Sequence, residues 1–204
     1  LLLNSYDVHK AKSLQESIAS EVVRFHVIGN SDSKTDQELK LKIKDKITKE
    51  LKPLLENVNS VEEARIILSD NLTYMEELSK ELISANGFNY SAKASLKYDY
   101  FPLKVYGDIA LPPGNYEAVR IELGSAKGQN WWCLMFPPLC FVDSTYSVVP
   151  DSSKEQLQDV LTEEEYDEIL LDEDNTNPSD DNTICEKKYK FKLFPALNDF
   201  FNLN

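Results

Sequence analysis

The chain has 204 residues, of which 42% are hydrophobic, and a formal net charge of −13. That length supports one good core with an appendage. The charge argues against a nucleic-acid binder, which needs a basic face for phosphates, and against an anionic membrane surface as the main partner. The acidity is also unevenly placed. Thirteen acidic residues and one base, Lys154, lie between Asp151 and Asp181, so the rest of the chain is close to neutral. No apolar run is long enough to span a bilayer. Leu1-Leu2-Leu3 reads either as the stub of a removed signal or anchor or as an arbitrary boundary.

In chain order, residues 1–20 are weakly patterned, a helix or a loose lead-in. Glu21 to Ile28 reads as a buried strand ending at the turn and cap cluster Gly29-Asn-Ser-Asp-Ser33. Thr35 with Glu38 fits a capping box, and Leu39, Ile43, Ile47, Leu51 and Leu55 form the buried stripe of the helix that follows, closed near Pro53. Ser60 with Glu63 opens a second helix, which Asn86-Gly87 stops. From Asn89 the period changes to two: Tyr90, Ala92, Ala94, Leu96 and Tyr98 alternate with Ser91, Lys93, Ser95 and Lys97. Strands are expected at Phe101 to Ile109, at Tyr116 to Leu123 and across Trp131-Trp132. This order predicts an α+β fold: two helices on one face of a mainly antiparallel sheet of about five strands. The expected division is a lead-in at 1–20, a domain at 21–149 and an acidic helical or disordered C-terminal extension at 150–204.

The stretch Gly128 to Asp143 holds both tryptophans and two of the three cysteines. Adjacent strand residues face opposite ways, so one core takes at most one of Trp131 and Trp132; the other meets a second layer, a partner or solvent. Pro137-Pro138 stops the strand at a rigid turn that brings Cys133 towards Cys140. A disulfide, if the chain folds outside the cytoplasm, and two buried free thiols are both compatible with this spacing. Cys185 is left over. An odd cysteine count without CxxC spacing argues against a zinc site, and no metal or cofactor is expected.

No phosphate-binding Gly loop, HExxH or GxSxG pattern is present. The enzyme reading pairs Cys133 as nucleophile with His26 as base and Asp32 or Asp143 as orienter. Against it, a strand histidine is more often structural, and a paired Arg120 is the plainer reading of that arginine. A third reading is a cell-wall-binding module in which a tryptophan stacks on sugar.

Two blocks carry a family resemblance. Arg24-Phe-His-Val-Ile-Gly-Asn-Ser-Asp-Ser33 with Asp36-Gln37 and Leu39-Lys40 resembles the opening of the stage II sporulation protein R family. Gly114-Asn-Tyr-Glu-Ala-Val-Arg-Ile121, followed by Gly124, Gly128 and Asn130-Trp-Trp-Cys to Cys140, is similar to its second signature. The departures are Gly29, where alanine is expected, and the acidic tail. The resemblance implies a non-enzymatic signal of endospore-forming bacteria, secreted from the forespore into the space between forespore and mother-cell membranes. There it would trigger a membrane-embedded aspartic protease of the mother cell, which cleaves the precursor of the early mother-cell sigma factor. The partner-contacting set expected on this reading is His26, Asn30, Ser31, Asp32, Arg120, Asn130, Trp131 and Trp132. The plainer alternative is that Asn30 to Asp32 only cap the first helix.

Overall fold

A computed structural model describes residues 5–140 and 149–171. Its centre is β1 (Val23–Ile28), whose six residues are all buried. A strand buried on both faces reads as a continuous apolar run, and this one carries Arg24 and His26 within it. β1 pairs in parallel with β5 (Gly114–Leu123) and antiparallel with β6 (Asn130–Phe136), while β2 (Ala92–Phe101) pairs antiparallel with β5. The sheet order is β2-β5-β1-β6. The α+β class stands. The sheet, however, is mixed and four-stranded, because the helices after β1 form the crossover that a parallel partner requires. The expected strand at Phe101 to Ile109 instead ends β2 and makes a separate hairpin of β3 (Lys104–Tyr106) and β4 (Ile109–Leu111). Gly107, at φ 58°, supplies the left-handed residue of its turn.

Helices cover both faces. α2 (Lys34–Leu55), α3 (Val61–Asp70) and α4 (Leu72–Ala85) cover the face carrying Val23, Phe25, Val27 and Cys133. α2 buries Leu39, Ile43, Ile47, Leu51 and Leu55 at intervals of four. Each such side chain contributes ~1.5–3 kcal/mol by leaving water. Ser33, not Thr35, is its N-cap and accepts the Asp36 N–H at 3.2 Å; the helix continues past Pro53 to Leu55. The expected second helix breaks in two at Asn71. There the side-chain amide donates to the Ile67 carbonyl at 2.8 Å, competing with the helix ladder. Ser60 caps α3 through the Glu63 N–H, and Gly87, at φ 81°, ends α4 as predicted.

The opposite face carries Tyr116, Ala118 and Leu134 under α1 (Ser5–Ser20), α5 (Asp151–Val160) and α6 (Glu163–Ile169). Leu14 and Ile18 of α1 join Leu157, Leu161, Tyr166 and Ile169 in that second apolar cluster. The tail predicted beyond Asp172, and the apolar spacing at 187–201, lie outside the described residues.

Candidate functional site

The register places four polar or aromatic side chains in one row across the sheet. Ser95 opposes Arg120, Arg120 lies beside His26, and His26 opposes Trp132. All four face the side of the sheet that also carries Arg24, one level above the part that α1, α5 and α6 cover. His26 is 1% exposed; its ring stacks on Trp132 at 4.9 Å and 14°, and meets Phe101 at 5.2 Å. The His26 Nε2 lies 3.3 Å from Asp99 Oδ2. Arg120 binds the same Asp99 oxygen at 2.6 Å and Glu122 at 2.8 Å. Among the described residues, both His26 nitrogens, Arg120 Nε and Ser95 Oγ have no hydrogen-bond partner. A buried polar atom left unpaired costs free energy unless something else satisfies it. Four of them in one row mark this face as the candidate site. Asn130 lies on the adjacent level, opposite Ile28, and is exposed.

Burial pushes the His26 imidazole down from 6.5 to about 4; Asp99 opposes that shift, while Arg120 and Lys97 add to it. The ring is therefore neutral at pH 7. In the unfolded chain it takes up a proton near 6.5, so stability is full above that value and is lost as pH falls from 6.5 towards 4. Urea unfolding at pH 7 and pH 5 is expected to show a loss of about 2 kcal/mol from this group. His26→Phe should not show that increment; an equal loss in both chains would place its origin elsewhere.

The rest of the predicted set is divided between other sites. Trp131 faces the opposite layer, edge-on to Phe25 at 5.8 Å with Lys44 Nζ 4.7 Å from its ring centre. The tryptophan pair is thus shared between two layers. Cys133 opposes Phe25 on that same far face. Cys133 and His26 do not come together as nucleophile and base, because successive β6 residues point oppositely and the sheet separates the Cys133 thiol from His26; Asp143 lies outside the described residues.

Asn30, Ser31 and Asp32 form a clasp. Asn30 Oδ1 accepts the Ser125 N–H at 2.9 Å, and Asp32 Oδ1 accepts the Gln129 N–H at 2.7 Å. The Asn30 amide and the Ser31 hydroxyl both donate to Asp36 Oδ2, at 2.9 and 2.5 Å, while the Tyr90 hydroxyl donates to Oδ1 at 2.9 Å. Asp36 is buried. Burial raises its carboxyl, but the bonds from Ser31, Asn30, Tyr90 and Ser33 outweigh it and hold the group below the usual range. Lys40 completes the clasp with bonds to the Gln129 carbonyl at 3.0 Å and to Gln37 at 2.5 Å. At Gly128 a Cβ would lie 2.4 Å from the Ser31 carbonyl oxygen, so only glycine fits. At Gly29 it would lie 2.7 Å from the tip of the Gln37 side chain and in ordinary contact, at 3.4 Å, with the Ser31 carbonyl oxygen.

Asp36, Tyr90 and Asp99 are absent from the sequence-derived set. Asp99 had a signal, because it continues the polar phase Ser91, Lys93, Ser95, Lys97 of β2. Asp36 had its place in the first resemblance block and in the first turn of a capped helix, and neither tells that its carboxylate gathers Asn30, Ser31 and Tyr90.

The two sequence blocks now have a geometry: the first is β1 and the clasp, and the second is β5 and β6, which flank β1 on either side. Residues 19–146 match the stage II sporulation protein R family. The chain belongs to that family. A relative from Bacillus subtilis (strain 168), "Stage II sporulation protein R", is 32% identical over 203 residues, covering 95% of this chain and 87% of its own. A sporulation role follows from membership. No solved structure matches the chain. Among the described residues no helix is long and apolar enough to cross a membrane.

Proposed function

We propose that this member of the stage II sporulation protein R family is a secreted signal that activates a membrane-embedded aspartic protease. That protease then processes the precursor of the early mother-cell sigma factor. On this reading the chain works between the forespore and mother-cell membranes as a ligand without chemistry of its own, and residues 21–149 carry the signal. Family membership supports it. The single structural observation in its favour is the row of unpaired polar atoms at Ser95, Arg120 and His26 beside Trp132. Contact with the protease's extracytoplasmic part would use Arg120, Asn130 and Trp132, with His26 as the floor beneath them. Arginine and tryptophan are frequent anchors of such contacts. Asn30, Ser31 and Asp32 would act indirectly, by holding the loop that leads into β6.

The test is co-expression of the exported chain with the protease and its precursor in a non-sporulating host. Precursor cleavage should depend on the chain and survive Cys133→Ser. Arg120→Gln combined with Asn130→Ala is expected to lower cleavage at least ~10-fold with an unchanged circular dichroism spectrum. Trp131→Phe, on the other face, should leave cleavage intact. Normal cleavage by the folded double variant would remove this face from the contact. Loss of cleavage in a folded, protease-bound Cys133→Ser chain would argue for enzymatic action instead.

A further inference from the structure

β6 ends at Phe136 before Pro137-Pro138, and the chain then folds back on itself. The Leu139 and Cys140 N–H groups both donate to the Leu134 carbonyl, at 3.2 and 3.1 Å. The Cys140 and Cys133 thiols converge on that same oxygen, with sulfurs 2.8 and 3.6 Å from it. Both residues are buried, at 9% and 2% exposure, and both are free in this structure. The two thiols thus lie around one carbonyl oxygen at the corner where β6 turns, which brings the two sulfurs close to each other.

We propose that Cys133 and Cys140 are an intramolecular disulfide site, closed while the chain folds in the presence of a disulfide oxidant. Each thiol loses a proton and an electron, and one S–S bond forms. The two electrons reduce the oxidant, a small-molecule or protein disulfide, to two thiols. The pair suits a structural bond better than an exchange-active one. Exchange needs an accessible thiolate, whereas burial pushes the Cys140 thiol well above its ordinary value and shields both sulfurs from a third thiol. The site stands apart from the Ser95–Trp132 row, since Cys133 faces the α2–α4 layer, and it does not depend on the activator reading.

The test uses the full-length chain with Cys185→Ser, which leaves only these two cysteines. The chain is refolded from denaturant with oxidised glutathione, denatured again without reductant, treated with N-ethylmaleimide and weighed intact. The expected result is no maleimide adduct and a mass lower by two hydrogens. Two adducts should appear after prior reduction, and a proteolytic digest should contain a peptide linked between Cys133 and Cys140. Two adducts without reduction, glutathione adducts in place of the link, or a disulfide-linked dimer would each overturn the proposal.

Discussion

Arg24→Ala is expected to lower the free energy of unfolding by about 4 kcal/mol, the largest single-residue effect outside the apolar stripe of α2. Arg24 is fully buried in the central strand, and none of the ion pairs among the described residues includes it. Its charge rests on aromatic rings: the guanidinium carbon lies 4.4 Å from the Phe101 ring centre, 4.9 Å from Tyr116 and 5.8 Å from Tyr106. Two donors are satisfied, Nε by the Cys133 carbonyl at 3.1 Å and Nη2 by the Tyr106 hydroxyl at 3.0 Å, whereas Nη1 has no partner among the described residues. Desolvated cation–ring contacts of this kind are worth ~2 kcal/mol. Truncation to alanine removes them and opens a large cavity among Phe101, Tyr116 and Tyr106. Arg24→Met keeps most of the volume and removes a buried charge that has no counter-ion among the described residues, so it should cost less, about 1–2 kcal/mol. Arg24→Lys should fall between the two, since a compact ammonium is more strongly hydrated and cannot stack. Urea denaturation of the three variants gives the order. A lysine variant as stable as wild type would show that the planar group is not what the rings hold.

Asp36→Ala should cost about 3 kcal/mol, through the clasp rather than through α2 itself. The substitution removes three side-chain bonds at once and strands the Asn30, Ser31 and Tyr90 donors beside a buried methyl. Asp36→Asn should recover only part of this, because its amide nitrogen cannot accept. The pH dependence follows from the lowered carboxyl: its stabilisation is complete above the unfolded value of 3.8 and is lost as pH falls through the lower folded value. The alanine variant should therefore lose less stability than wild type on acidification below pH 4. Because the clasp holds residues 124–129, amide exchange at Ser125 and Gln129 should accelerate in the variant before global unfolding does. Unchanged exchange there would separate Asp36 from the loop.

Much of this architecture is written locally. The stripe of α2, the Ser60 cap and the Gly87 stop depend on residues three or four apart, and periodicity exposes such spacing. The β1–β5 pairing is different in kind. It joins Phe25 to Val119, and no local pattern specifies which strand lies beside which. The candidate site divides along the same line. Trp131 and Trp132 were bound to face opposite ways, yet which of them met His26 depended on the β1–β6 register. Asn30 and Asp32 read as cap residues and do bind backbone N–H groups, but those groups belong to Ser125 and Gln129, far along the chain. The Asp99–Arg120 pair needed β2 and β5 in register before it was visible.

The central place of β1 also has a temporal side. Synthesis proceeds from the N-terminus, so Val23–Ile28 appears before the other strands of its sheet, and both of its neighbours appear after β2. β5 begins at Gly114 and β6 ends at Phe136. Until those residues exist, the earlier helices can coil locally but have no completed sheet to dock on, and the apolar strand stays without a partner. The order of the chain thus runs against the order of assembly. The pairings of β1 with β5 and β6 are non-local ones, which characteristically slow folding and lengthen exposure to aggregation. A partly made chain of this kind holds α1 to α4 and its central strand, and neither of the strands that flank it.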